Sequence, residues 1–553
     1  MRIKKMLAVV CVGSVLGTSV LPLVGCNNRS KVSDTDQTLE IFCVKLGYGV
    51  EWIEAITEEF KKQDWVKEKY PNLNVILETS GDRGAISSRL DAGEGVNTVD
   101  MVMSDAITIG TDNMGKEYSC NLTDVVYNTM VPGENVTVYE KLQPSYQKSL
   151  MYYKYGENSL YKTKFEAYDF NWASGMMGIL YNEELLSSFG YTTPPRTTQE
   201  FMEACETIRD DSDYGKGFAI MWSTGAEYMY YLYNTWWAQY EGADNYYNYL
   251  NGVSVEGEDY YENSSDIFKQ WGRKEALQTL IDICSTSNGY RYAKGLATDF
   301  MAAQKYFLKG EGVFMANGDW FGEEMQADMA QTKYTIKMMK TPIISSIIDK
   351  LTTVKTEEKL REVVGKIDEG YETATSAGLE GVSEADYKRV IEARSYVTSL
   401  GPGCSTFIPV YATGKQVAFD FLRFMATDKA CALYTEKTGG ASLPFQYDVL
   451  DKNPELYDDF YDLEKSRIDM EQNSVHGNYV LPYDKNFPLV KYGEVGLFSS
   501  YALQGGTIAS YMQNGKSEGE SSALAAYNRD LEYWTGNSAS KWKNALRFAG
   551  YLK

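Results

Sequence analysis

One histidine, eight cysteines, 76 acidic residues, ten tryptophans and 44 tyrosines set the chemistry open to this chain of 553 residues. His476 is the only imidazole, which speaks against a Ser-His-Asp triad and leaves too few ligands for a multi-His zinc site or a His-carboxylate iron site. Cys11 and Cys26 belong to the N-terminal segment. The other six cysteines, Cys43, Cys120, Cys205, Cys284, Cys404 and Cys431, are widely spaced and form no CxxC pair. Cys43, Cys205 and Cys431 sit in apolar periodic segments, where a thiol behaves as a small buried hydrophobe. The six are read as mostly free thiols, with oxidation of one pair left open. Two carboxylates about 5 to 10 Å apart would suit glycoside hydrolysis, and so many acidic residues supply such a pair by accident. The aromatics carry more information. Trp222, Tyr228, Tyr230, Tyr231, Tyr233, Trp236 and Trp237 form one cluster. Flat apolar faces with polar edges suit polyhydroxylated ligands, although most of these rings are expected in the core. Gly47-Tyr48-Gly49 lacks the third glycine of a dinucleotide loop. No cofactor and no metal are expected.

Chemistry of another kind is written at the N-terminus. Arg2, Lys4 and Lys5 precede an apolar, uncharged run at 6–20, and Leu23-Val24-Gly25-Cys26 leads into polar Asn27-Asn28-Arg29-Ser30. The run is short for a membrane span and ends in small residues, as secretory signals do. The segment resembles the bacterial lipobox, which implies a signal peptide at 1–25 and a diacylated Cys26 as the first mature residue. Two acyl chains anchor stably where one is marginal. Residues 26–37 then read as a lipid-anchored stalk, and the protein is expected at the extracytoplasmic face of the cell membrane. A hydrophobic fraction of 44% and a charged fraction of 24% are those of a globular protein. The net charge of −22 repels phosphate backbones and argues against nucleic acid as a partner.

The elements that must position these residues follow from periodicity. Residues 39–44 read as a strand, and 50–62 as a helix with Trp52, Ile53, Ile56 and Phe60 on one face. Residues 73–78 alternate as a second strand after the breaker Pro71. A helical stretch at 85–90 and a strand at 99–103 follow, and this alternation is that of a parallel α/β layer. Thr197 with Glu200 three residues on reads as a capping box opening a helix with Phe201, Ala204, Cys205 and Ile208 on one face. Helices are expected at 417–425, with Val417, Phe421, Leu422 and Met425, and at 428–437, stopped by Gly439-Gly440. Residues 350–395, rich in Glu, Lys and Asp, read as an exposed helical insertion. Ligands of α/β sheets sit beyond the carboxyl ends of strands. That rule nominates Lys45 and Tyr48 after the first strand, and Ser104 and Asp105 after the third.

Four further segments, in order, resemble the extracellular solute-binding protein family 1, the maltose-type receptors of sugar importers. They are Gly178-Ile179-Leu180-Tyr181-Asn182 with Glu183-Glu184-Leu185-Leu186; Pro194-Pro195-Arg196-Thr197 with Glu200-Phe201; residues 309–320, ending Asn317-Gly318-Asp319-Trp320; and residues 418–422 through Gly439-Gly440-Ala441-Ser442-Leu443-Pro444. The resemblance implies an α/β, two-lobed, type II periplasmic-binding-protein-like fold, with hinge strands crossing between discontinuous lobes that close on ligand. Lobe 1 would comprise 38–168 and 402–474, and lobe 2 would comprise 169–401 and 475–553. It adds Asn171, Trp172, Ser174, Trp222, Ser223, Asp319 and Trp320 as ligand-binding candidates. It implies a monomer without catalytic residues that captures a carbohydrate, an oligosaccharide by its aromatic content, and delivers it to the permease subunits of an ABC transporter. The alternative is a lipid-anchored extracellular glycoside hydrolase. A peptide-binding or metal-binding lipoprotein is a third reading, the metal disfavoured by the single histidine.

Overall fold

The computed structural model describes residues 37–45, 47–82, 84–104, 119–149, 151–156, 159–165, 167–214, 217–223, 228–251, 264–292, 294–399, 404–473, 479–482, 502–503, 505–536, 540 and 544. Strand β1 (Thr38–Val44) is followed by α1 (Glu51–Lys62), β2 (Asn74–Ser80), α2 (Ser87–Ala92) and β3 (Met101–Ser104). β1 pairs in parallel with β2 on one side and β3 on the other, so the alternation in sequence becomes a parallel layer. The apolar stripe of α1 buries Trp52, Ile53, Ile56 and Phe60. A helix that hides such a stripe is held chiefly by that packing, because short helices are marginal in water.

The chain then leaves the first sheet. β4 (Phe170–Asn171) is its edge strand, whereas β5 (Met177–Asn182) is central in a second sheet. The second half adds α3 (Thr198–Asp210), β6 (Phe218–Ile220), β7 (Gly312–Gly318) and β8 (Ile336–Met339), giving the order β8-β5-β7-β6. All six residues of β5 and all seven of β7 are buried, as expected of strands covered on both faces. After α4 (Glu357–Asp368), α5 (Glu384–Ser395) and β9 (Tyr396–Ser399), the chain returns with β10 (Ser405–Phe407), which completes the first sheet as β2-β1-β3-β10-β4. The crossings therefore fall between Asn171 and Met177 and between Ser399 and Ser405, and each sheet is the centre of one lobe. α6 (Lys415–Met425) and α7 (Asp428–Lys437) pack back on the first lobe, where Phe421 and Phe424 meet Phe60 at 5.2 and 5.5 Å. α8 (Asp462–Ile468) lies along β8, and Ser466 Oγ accepts the Met338 N–H at 2.9 Å. The late helix α9 (Ala523–Thr535) is tied to the second lobe by a buried Arg273–Asp530 ion pair at 2.8 Å.

Two expectations change in detail. Thr197 does accept the Glu200 N–H, but the Glu200 carboxylate takes the N–H of Arg196 at 2.7 Å, not that of Thr197, and the Thr197 hydroxyl donates to Glu357. The reciprocal half of the capping box is thus shifted one residue back, to the Arg196 N–H, and the Thr197 hydroxyl adds a contact to α4. Residues 350–395 are helical but not an exposed appendage. Leu360, Val363, Val364, Ile367, Tyr387, Val390 and Ala393 are buried in the main core, because their spacing puts them on one side of each helix. None of Cys43, Cys120, Cys205, Cys284, Cys404 and Cys431 forms a disulfide. Among the described residues no helix is long and apolar enough to cross a membrane.

Candidate functional site

β7 delivers Asp319 and Trp320 to the junction of the lobes, beside residues that follow β1 and α7. Asp319 is 4% exposed. Its Oδ1 accepts the Tyr48 hydroxyl at 2.8 Å, and its Oδ2 accepts the Ser442 N–H at 2.8 Å together with the Ser442 hydroxyl. Tyr48 and Ser442 come from the first lobe and Asp319 from the second, so a buried carboxylate is satisfied only when the lobes meet. Hydrogen bonds to a charged group contribute about 1.5–3 kcal/mol each, and leaving that group buried without them costs more. Burial, and next the charge of Asp319, push the Tyr48 phenol well above its ordinary pKa. It therefore acts as a fixed donor. With both carboxylate oxygens occupied, Asp319 organises the junction.

Aromatic rings surround this bond. Trp52 and Trp172 stack at 4.5 Å, and Tyr48 meets Trp172 edge-on at 5.7 Å and Trp320 at 6.1 Å. Tyr434 of α7 closes the group, 5.3 Å from Trp52 and 6.4 Å from Tyr48. The Trp320 indole lies between two glycines. A Cβ on Gly47 would come within 2.9 Å of it and one on Gly318 within 2.2 Å, so both positions exclude a side chain. Tyr228 touches the outer edge of Trp320 at 5.5 Å. It has φ +67°, which among the described residues makes it the one non-glycine in the left-handed region, a strained conformation for so bulky a side chain. Within the cluster, Trp52 Nε1, Trp172 Nε1, Tyr434 OH and Asn171 Oδ1 are buried with no hydrogen-bond partner. Such groups carry a desolvation cost that a hydroxyl brought among them would offset.

The remaining candidates divide. Ser174 lies in the crossing, where Tyr146 OH reaches its Oγ at 3.0 Å and the Ser399 hydroxyl donates to its carbonyl. Both crossings are thus joined through one buried phenol, since Tyr146 OH also lies 2.8 Å from Ser399 Oγ. Ser104 is buried at the end of β3, opposite Ser405. Lys45 is exposed, and its charge acts on Glu51 and Glu323. Burial, and next Glu51, raise Glu323 above the ordinary carboxyl range. Trp222 and Ser223 are buried, but Trp222 packs instead under Arg291 at 4.7 Å and against Gly295. Asp105 lies outside the described residues. The structure therefore gathers Tyr48, Asn171, Trp172, Ser174, Asp319 and Trp320. It adds Trp52, Tyr146, Tyr228, Ser399, Tyr434 and Ser442. Of these, only Tyr228, in its aromatic cluster, and Ser442, beside Gly439-Gly440, carried any signal in the sequence. Trp52 read simply as part of the buried face of its helix, and Tyr434 fell within an expected helix without being singled out.

Residues 48–349 match the family profile described as bacterial extracellular solute-binding protein. Among curated proteins none matches the chain. The fold is similar to that of a family 1 extracellular solute-binding protein from Bifidobacterium longum subsp. infantis, at 12% identity and a TM-score of 0.50, covering 92% of this chain and 100% of that one. It is also similar to the GacH receptor of Streptomyces glaucescens, solved unliganded and with acarbose, at 13% identity and a TM-score of 0.51, covering 93% of this chain and 99% of that one. A chitin oligosaccharide binding protein matches at 12% identity and a TM-score of 0.50, covering 93% of this chain and 99% of that one.

Proposed function

The chain belongs to the bacterial extracellular solute-binding proteins, and from that premise we propose that it captures an oligosaccharide between its two lobes and delivers it to the permease of an ABC importer. The observation that supports this reading is the junction itself, where a lobe-bridging Tyr48–Asp319–Ser442 bond is ringed by Trp172, Trp320, Tyr228 and Tyr434. Rings of this kind cover the C–H faces of sugars, while partnerless indole N–H and phenol O–H groups meet hydroxyls. Lys45, Glu51 and Glu323 interact with one another, the two carboxylates beside Gly49, the residue after Tyr48. On this reading the lobe boundaries fall at the two crossings, which moves the edge strand Phe170–Asn171 from the expected lobe 2 to the first lobe, and α8, bonded to β8, from the expected lobe 1 to the second. Separating the lobes would break the Asp319 contacts and open Trp320 to solvent, and ligand would re-close them. The GacH receptor was solved with acarbose and another neighbour is named for chitin oligosaccharides. Acarbose, malto-oligosaccharides and chito-oligosaccharides are therefore the first compounds to screen.

Calorimetry of the mature protein against that panel tests the reading, with a turnover assay on the same glycans beside it. Saturable binding without product formation is expected. Release of shorter sugars above background would instead support the anchored hydrolase. Membrane attachment through Cys26 completes the proposal. Cys26→Ala should leave the folded lobes unchanged and free the protein from the cell surface, and fatty-acid labelling of that variant would contradict a lipid at Cys26.

A further inference from the structure

A second opening lies on the second lobe, away from Tyr48 and Asp319. A groove of about 730 Å³ runs between edge strand β8, the C-terminal end of α4, the turn at 193–196 and the residues after α8. That volume is within the roughly 300–1,000 Å³ of small-molecule sites. Met338, Met339, Met470 and Ile367 line its apolar part. Three cations, Arg196, Lys340 and Arg394, face it in a chain whose net charge is −22.

The charges in the groove are unequally engaged. Arg394 is held by Asp368 through two bonds of 3.0 and 2.9 Å and donates to the Thr341 carbonyl at 3.0 Å. Glu369 is paired with Lys366 at 2.7 Å, and Asp469 accepts the Tyr457 hydroxyl at 2.8 Å. Arg196 is less committed. Its guanidinium lies over Gly365 and reaches Glu200 only at 3.6 Å, and its Nε is buried without a hydrogen-bond partner. Burial, and next the charge of Arg394, lower Lys340 to about 8, with Asp368 acting in the opposite sense. An anion beside Lys340 would favour its charged form and offset the effect of burial.

We propose that this groove is a second binding site, for a small organic carboxylate whose head is taken by Arg196 and Lys340 and whose apolar body lies on the methionines of β8. A guanidinium fork fits a planar carboxylate, and the flexible thioethers of methionine adapt to aliphatic shapes.

Hexanoate is the probe and hexanamide its uncharged counterpart, each titrated by calorimetry into the mature protein. Hexanoate should bind saturably in the millimolar range or better and raise the melting temperature, with hexanamide weaker by about tenfold or more. Lys340→Met and Arg196→Gln should each weaken hexanoate by about tenfold while leaving oligosaccharide affinity unchanged. Arg196→Lys keeps the charge without the fork, and serves if Arg196→Gln does not fold. Hexanoate binding unchanged in these variants, equal binding of hexanamide, or no saturable binding would overturn the proposal. Capture by phosphatidylglycerol vesicles that hexanoate does not displace would also overturn it, in favour of a membrane headgroup contact.

Discussion

Trp320 is the residue at which packing and binding must be told apart. Its indole is 7% exposed and is bounded by Gly47 of one lobe and Gly318 of the other. If its main role is to cover a sugar ring, Trp320→Ala should cost about 2 kcal/mol of binding, roughly thirtyfold in affinity, since aromatic anchors dominate such sites. Its stability cost should stay below the about 3–5 kcal/mol of a deleted core aromatic, because the indole is partly solvated whenever the lobes part. Affinity and unfolding free energy measured on the same variant decide between the roles. Normal glycan binding with a large loss of stability would make Trp320 a core residue.

Contacts between elements carry two further expectations. Gly414, at the start of α6, donates its N–H to Asp100 Oδ1 at 2.8 Å, while Oδ2 accepts the Glu40 N–H of β1 at 2.9 Å. A Cβ at Gly414 would stand 2.1 Å from the Thr38 carbonyl and 2.8 Å from Asp100 Oδ2. The backbone of β1 cannot yield as a side chain would, so Gly414→Ala should destabilise by about 1–3 kcal/mol or more in urea unfolding. An unchanged midpoint would show that α6 shifts freely against β1. The second expectation concerns Glu464 in α8, whose carboxyl is wedged against Gly322 and whose Cβ lies beside Gly440. Burial raises it to about 8, while its own N–H and Arg467 pull it down and Asp462 pushes it up. In the unfolded chain this carboxyl loses its proton near its ordinary 4.5, whereas in the folded protein it keeps it to about 8. The unfolded state therefore binds fewer protons across that window, and the contribution to stability present at low pH is lost as pH rises through it. Glu464→Gln should melt higher than the native protein at pH 8 and differ less at pH 5. An equal difference at both pH values would refute the linkage.

For the molecule as a whole, closure is the measurable event. The carboxylate of Asp319 is satisfied from the opposite lobe, and the two crossings meet through Tyr146. A ligand that bridges the lobes and ignores the unfolded chain should add roughly 2.7 kcal/mol of stability at about 100 Kd. Small-angle scattering should show the radius of gyration fall on saturation. Tight binding with an unaltered radius of gyration would mean that the lobes do not hinge on ligand.

The local pattern of apolar residues determined β1, α1, α3, α6 and α7, because helix and strand periods depend only on neighbours along the chain. Ordered short motifs were enough to point to the family. Position after a strand was enough to nominate Tyr48, and the family motif to nominate Asp319 and Trp320. What the sequence left open is which faces meet. Tyr48 and Asp319 are 271 residues apart and Ser442 and Asp319 are 123 apart. Periodicity identified Trp52 as a buried face without showing that its neighbours would be Trp172 and Tyr434. For the same reason 350–395 looked exposed. Its thin apolar spacing is sufficient once two helices share a partner, and that partner is supplied by the second lobe's core. Long-range pairing, which no short window contains, decided both the composition of the junction and the groove beside Lys340.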